Sequence, residues 1–164
     1  MIYEDIFREL QEAGVRYLVV GGVAVVLHGF VRSTADLDLM VALDRANLDL
    51  FLDLMKRRGY KPRVPVRIEE FADAEKRQSW IKNKGMKVFS LIHSQKPQEL
   101  IDIFVNEPIP FAEAYSRRVK IRVGSMDVSV IAAKDLIELK KQSGRPQDLQ
   151  DIRALEAFYK NGKV

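Results

Sequence analysis

Two aspartates interrupt an apolar run that would otherwise form a plain core strand. Asp36 and Asp38 sit among Leu37, Leu39, Met40 and Val41, and the apolar stretch that begins at Leu18 ends in Gly21-Gly22. Each charge taken out of water costs several kcal/mol unless it is paired, so such a run does not carry two carboxylates without a compensating partner. Side chains two apart on a strand share a face, which puts Asp36 and Asp38 together, roughly 6 to 7 Å apart, and leaves Leu37, Leu39 and Val41 for the core. The pattern specifies a buried strand with one charged face, and that face calls for a cation.

Length and composition bound what can surround it. A chain of 164 residues with 47% hydrophobic and 30% charged residues fits one ordinary domain, 1–164, with 132–164 as a C-terminal helical hairpin. The absence of cysteine excludes disulfides, thiolate zinc sites and cysteine nucleophiles, and fits a reducing compartment. No stretch approaches the roughly 20 apolar residues that span a bilayer. Met1 to Leu10 carries Glu4, Asp5 and Glu9 and does not read as a secretory signal, so a cytoplasmic location without a membrane partner is expected. The net charge of +4 gives mild attraction to polyanions. Lys56-Arg57-Arg58 and Arg117-Arg118-Lys120 are either phosphate contacts or solvated faces, and the second is the commoner case.

Periodicity predicts an amphipathic helix over Tyr3 to Ala13, closed by Gly14, then a strand over Arg16 to Val20 and a short apolar helix over Gly22 to His28. Leu37 to Val41 is the charged strand, followed by a helix over Arg45 to Arg57. Pro62 and Pro65 interrupt the middle, leaving Tyr60 to Lys76 as strand or loop. Gln78 to Ile81 and Met86 to His93 read as hairpin strands around Asn83-Lys84-Gly85. Glu99 to Val105 is a further strand, and two more meet at Gly124-Ser125. Ala132 to Gln142 and Pro146 to Lys160 end the chain as helices. The expected class is α/β (α+β), a mixed sheet flanked by helices.

The apolar strand Leu100-Ile101-Asp102-Ile103-Phe104-Val105 carries one charge, Asp102, and if it pairs beside the first strand three carboxylates converge. Such a cluster suits a hard divalent ion, since magnesium takes oxygen ligands and is held by one or two carboxylates together with substrate phosphates. The plain alternative is that Asp36 caps a turn while Asp38 and Asp102 pair with arginines. Upstream, Gly21-Gly22 closes a strand and opens a helix, which lets the backbone and its free N–H groups approach an anion. Neither a Gly-x-Gly-x-x-Gly nor a Gly-Lys-Ser/Thr phosphate loop is present.

Gly21-Gly22, a helix ending at His28-Gly29, and Arg32-Ser33-Thr34-Ala35-Asp36-Leu37-Asp38-Leu39 together resemble the signature of the nucleotidyltransferase superfamily that includes DNA polymerase beta. The compact form is similar to the bacterial groups of abortive-infection toxins and antibiotic nucleotidyltransferases. The resemblance covers the first 42 residues, Asp102 and the final helices. It implies magnesium, or manganese in its place, on Asp36 and Asp38, with Asp102 as third ligand or base. It also implies the triphosphate of ATP or another nucleoside triphosphate on the Gly21-Gly22 turn. The second turn residue of the family is often serine, and Gly22 lacks that hydroxyl.

In the helix from Ala132, Lys140 falls within the apolar arc of Ala133, Leu136 and Ile137, and Asp148 falls within the stripe of Leu149, Ile152, Leu155 and Tyr159. Lys140 reaches the triphosphate, oriented by Asp148, forms a buried pair with Asp148 between two antiparallel helices, or snorkels. Arg32 and Ser33, on the loop before the carboxylate strand, are nucleotide-binding candidates, an exposed loop arginine being the alternative for Arg32. His28 is expected to cap or pack, and Trp80, Phe71 and Phe89 either stack a base or belong to the core.

The resulting expectation is a magnesium-dependent, phosphorus-transferring enzyme that moves a nucleoside monophosphate from a triphosphate to a small molecule, tRNA or protein. Two alternatives accompany it. A toxin of a toxin-antitoxin pair, with an antitoxin as partner, predicts a basic surface beside the site and growth arrest on expression alone. A non-catalytic nucleotide-binding domain predicts triphosphate binding without turnover.

Overall fold

A computed structural model of the chain describes residues 2–160; the ends of the 1–164 domain and of the 132–164 hairpin lie outside them. In chain order the elements are α1 (Glu4–Glu12), β1 (Tyr17–Val20), α2 (Gly21–Leu27), β2 (Leu37–Val41), α3 (Arg45–Arg57), β3 (Tyr60–Pro62), α4 (Ala74–Lys84), β4 (Val88–His93), β5 (Leu100–Phe104), α5 (Phe111–Ser116), β6 (Val119–Val123), β7 (Met126–Val130), α6 (Ala133–Ser143) and α7 (Pro146–Lys160), with a 3-10 turn over Ile68–Ala72. The strands form one mixed sheet in the order β3-β4-β5-β2-β1-β7-β6.

Alternation along the central strands sorts the two faces. Leu37, Leu39, Phe89, Leu91, Ile101 and Ile103 are wholly buried on one face, while Asp38, Ser90 and Asp102 take the intervening positions on the other. Phe71 and Trp80 pack on Phe89 with ring centroids 5.0 and 5.3 Å away, so the segment leading into and through α4 covers the apolar face and these aromatics belong to the core. Along α3 a stripe of Leu48, Phe51, Leu52 and Met55 is buried, and the Asp44 side chain accepts from the Asn47 N–H to start the helix.

The predicted strand over Gln78 to Ile81, with its turn at Asn83-Lys84-Gly85, does not form. Those residues are the second half of α4, which Asp73 starts by accepting from the Glu75 and Lys76 N–H groups and Gly85 ends in the left-handed conformation. A glycine after a short apolar run marks a hairpin and a helix end equally well, and here the upstream cap decides. In α7 the inward stripe is Asp148, Asp151, Ile152 and Leu155, whereas Leu149 and Tyr159, expected within it, are about half exposed.

Candidate active site

The parallel pairing of β2 with β5 puts Asp38 directly opposite Asp102, and the next strand over puts Ser90 opposite Asp102. Neighbouring strands lie about 4.8 Å apart, so the carboxylates are immediate neighbours on one face. Ser90 Oγ donates to Asp102 Oδ1 at 2.6 Å. Asp36 stands one residue before Leu37 of β2, on a segment that the Tyr3 hydroxyl fastens to β5 by donating to the carbonyls of Ala35 at 2.7 Å and Leu100 at 3.2 Å. Burial raises the Tyr3 phenol to about 12, with the charges of Asp36, Glu99 and Asp38 adding to it.

These carboxylates are electrostatically strained. Burial first, then the like charges of Asp102 and Asp36, push the Asp38 carboxyl up to about 7, although Lys140 and Arg145 pull it down. Burial also raises Asp102, with Asp36 adding to the rise and the Ser90 hydroxyl and Arg63 opposing it. Gly21 makes the close approach possible. Its φ is +64°, and a Cβ built there would lie 2.1 Å from Asp38 Oδ2, so only a glycine lets that carboxylate rest against the turn.

A cleft of about 600 Å³ opens over this face, with Gly21, Asp38 and Asp102 on one wall and Leu136, Lys140, Arg145 and Asp148 on the other. The cationic wall is assembled by α6 and α7. Lys140, 5% exposed, lies 2.8 Å from Asp151 Oδ2 and 3.4 Å from Asp148 Oδ1. Arg32 reaches from the β1–β2 side of the molecule to the same Asp151 oxygen at 2.9 Å, and Arg145 Nε donates to Asp148 at 2.9 Å. Burial acts upward on Asp148, but hydrogen bonds from Arg145 and Ser143 hold its carboxyl down at about 2.

Among the sequence candidates, Gly21, Asp38, Asp102, Lys140 and Asp148 line the cleft, whereas Asp36, Gly22, Arg32 and Ser33 do not. Asp36 is nevertheless close enough to raise both Asp38 and Asp102. Arg32 is not an exposed loop arginine but is tied to α7, and its Nε is buried without a hydrogen-bond partner. Ser33 is exposed on the surface. Lys140 and Asp148 form the buried pair that was one of the three readings, joined by Asp151, which the sequence reading missed; its signal is its spacing three residues after Asp148 on the stripe of Ile152 and Leu155. His28 is structural: its Nε2 lies 2.8 Å from the Ile131 carbonyl, which fixes the proton on that nitrogen, and burial favours the neutral ring. The two basic clusters are largely engaged within the fold, Lys56 with Glu69, Arg57 with Asp53, Arg58 with Glu9 and Arg117 with Asp135, while Arg118 stacks on Tyr115.

The donor set suits a hard cation in one respect and limits it in another. Adjacent carboxylates, of which Asp38 is raised by the charges of Asp102 and Asp36, gain from a positive ion beside them. Among the described residues, however, no three acidic or histidine side chains are gathered closely enough to enclose one, so the remaining ligands must come from water or substrate.

The mixed seven-stranded sheet thus bears adjacent aspartates on the face that α6 and α7 overlie across the cleft. The chain belongs to a family described as nucleotidyltransferase of unknown function, whose profile matches residues 2–161, and this makes it an enzyme that transfers phosphorus-containing groups. Its fold is similar to the lincosamide antibiotic adenylyltransferase LnuA in its lincomycin-bound crystal structure, with TM-score 0.60, 17% identity, and 93% of this chain and 92% of that one covered. It is also similar to ANT(2")-Ia in complex with adenylyl-2"-tobramycin, with TM-score 0.61, 14% identity and coverage of 94% and 85%. An antigenic nucleotidyltransferase-like protein from Paracoccidioides brasiliensis shares the fold at TM-score 0.59 and 15% identity, with coverage of 94% and 73%. Among curated proteins none matches the chain in sequence. No helix of the described residues is long and apolar enough to cross a membrane.

Proposed function

We propose that the chain transfers a nucleoside monophosphate from a nucleoside triphosphate to a hydroxyl-bearing acceptor in the cleft between the Asp38–Asp102 face and α6–α7. The observation that carries this reading is the opposition of charge across one cavity: adjacent, half-buried carboxylates on the sheet, with Asp38 pushed up by Asp102 and Asp36, and facing them Lys140 on α6 with Arg145 on the turn into α7. A triphosphate with a divalent cation neutralises both walls at once. LnuA and ANT(2")-Ia, seen with lincomycin and an adenylylated tobramycin, supply the fold-level analogy for a small-molecule acceptor.

Asp38 and Asp102, with Asp36 beside them, are the residues that would hold magnesium or manganese. When bound, the ion neutralises charge on the transferring phosphorus and its leaving group. The other steps belong to the chain. The turn at Gly21-Gly22 starts α2 without a side-chain cap, leaving its N–H groups for phosphate oxygens. Lys140 and Arg145 hold the far end of the triphosphate, and the unpartnered Arg32 Nε is a further donor beside the turn. Asp102 takes the acceptor proton at a carboxylate oxygen that Ser90 orients. Positioning and charge compensation account for most of the rate in such transfers.

Incubation with labelled triphosphates, magnesium and a mixed acceptor pool tests the reading. Asp36→Ala/Asp38→Ala is expected to lower transfer by about 10³-fold or more, roughly 4 kcal/mol of transition-state stabilisation. Equal labelling by the native and substituted chains would remove the two aspartates from the chemistry.

A further inference from the structure

The register of the sheet extends the aspartate row outward to a second cavity. The Arg63 N–H donates to the Ser90 carbonyl at 3.0 Å, Ser90 pairs with Asp102, and Asp102 pairs with Asp38, so Arg63, Ser90, Asp102 and Asp38 form one line from the β3 edge of the sheet to its central strand β2. Beyond Ser90 lies a cavity of about 320 Å³ lined by Arg63, Val64, Met86, Val88, Phe89 and Ser90. Val88 also lines the main cleft, so the two cavities adjoin, with Asp102 and its Ser90 partner between them.

The chemistry of this second cavity differs from that of the first. Its walls are mainly apolar, and its charge is positive. Arg63 is exposed just past the end of β3, as is Lys61 two residues earlier within it. Neither makes an ion pair among the described residues, in contrast to Lys56, Arg57 and Arg58 nearby. A guanidinium fork matches a phosphate in bidentate fashion, a second cation two residues away suits a doubly charged group, and the apolar wall suits a base or sugar.

We propose that the cavity beside β3 and β4 is the acceptor subsite, and that it takes a phosphate-bearing ribonucleoside, its phosphate on Arg63 and Lys61 and a ribose hydroxyl directed at Asp102. The assignment rests on the nucleotidyl-transfer reading above. In the step it describes, the acceptor O–H gives its proton to the Asp102 carboxylate. The oxygen then forms a bond to the α-phosphorus while the bond from that phosphorus to the bridging oxygen breaks, and pyrophosphate leaves with the electron pair. Free nucleotide and the end of an RNA chain present the same chemistry here.

Calorimetric binding to the full chain separates these outcomes, with the main cleft saturated by a non-hydrolysable ATP analogue and magnesium. The probes are AMP, adenosine and a short oligoribonucleotide. AMP or the oligoribonucleotide is expected to bind at least about tenfold more tightly than adenosine, the effect of one charge-assisted contact. Arg63→Glu should abolish that preference, and Arg63→Lys should restore part of it. Tighter binding of the oligoribonucleotide assigns the chain end, and tighter binding of AMP the free nucleotide. Equal binding of AMP and adenosine, binding of neither, or an undiminished preference in Arg63→Glu overturns the acceptor assignment. Failure of the ATP analogue itself to bind the native chain overturns the nucleotidyl-transfer reading, and this assignment with it.

Discussion

The cleft sets two groups of carboxylates against each other, half-buried on the sheet and buried on α7, and they behave in opposite ways. On the sheet, Asp38 is pushed up to about 7 by burial and by Asp102 and Asp36. On α7, Asp148 is held down at about 2 by Arg145 and Ser143, and Asp151 receives Lys140, Arg32 and Gln147. The helical group is satisfied within the chain, whereas the sheet group keeps its carboxylates adjacent at the expense of the fold. Burial alone therefore does not mark a functional charge. What marks it is burial that the chain's own cations leave uncompensated.

The largest stability effect expected from this contrast is at Asp151. Removing its charge leaves Lys140 buried and takes from Arg32 its only ion-pair partner among the described residues, and breaking a buried pair from one side costs about 3 to 5 kcal/mol. Asp151→Asn, which keeps the shape, is expected near the low end, lowering Tm by roughly 10 °C. Thermal unfolding checks it, and a fall of only a degree or two would make the helical network as dispensable as a surface pair. By the same contrast, Asp38→Ala should leave Tm unchanged or raise it.

Next in size is a pH dependence of opposite sign in the two groups. Asp38 binds its proton more firmly folded than unfolded, so its contribution to stability falls as pH rises from about 4 to about 7, by on the order of 3 kcal/mol. Asp148 contributes stability that is present above about 4 and lost as pH falls toward 2. Asp38→Asn should therefore flatten the decline between pH 4 and 7 while leaving the acid limb in place. Denaturant unfolding across that range measures both, and an unaltered decline in Asp38→Asn would transfer the strain to other groups. Magnesium added to the native chain should also reduce the decline.

These same two groups show what the sequence made legible. Asp36, Asp38 and Asp102 stood out because each breaks an apolar strand pattern of period two, and the parallel register then brought Asp38 and Asp102 together as the strand reading required. Asp151 was hidden because α7 carries polar residues on several sides, and a carboxylate facing inward is recognised only once Lys140 and Arg32 are seen to converge on it across 11 and 119 residues of sequence, the latter separation being the larger by far. The α4 error has a similar origin: Trp80 and Ile81 beside Gly85 resemble a strand and turn until the Asp73 cap and the contact of Trp80 with Phe89 are known. Local periodicity reports which face a residue takes, but partners distant in sequence decide whether a charge there is satisfied.

The smallest expected effect tests the one place where the two groups touch through a shared loop. A Cβ at Gly22 would lie 2.6 Å from Thr34 Oγ1, 2.9 Å from Arg32 Nη1 and 3.1 Å from Thr34 Cβ. Arg32 is anchored on Asp151 and Thr34 lies two residues before Asp36, so the side chain missing at Gly22 is replaced by packing from the loop that links the carboxylates to α7. This accounts for a glycine where the superfamily that the sequence resembles often has serine, because a Cβ here must displace Thr34 or Arg32. Gly22→Ser is expected to cost about 1 to 2 kcal/mol through overpacking. Combining it with Thr34→Ala, which removes the nearest atom, should recover about 0.5 to 1 kcal/mol of that cost as a coupling energy in a double-mutant cycle. Additivity within about 0.3 kcal/mol would show that the loop yields freely and that the two charge groups are packed independently. A coupling at the upper end would make Gly22 the joint that keeps Arg32 directed at Asp151 while Asp36 stays beside Asp38.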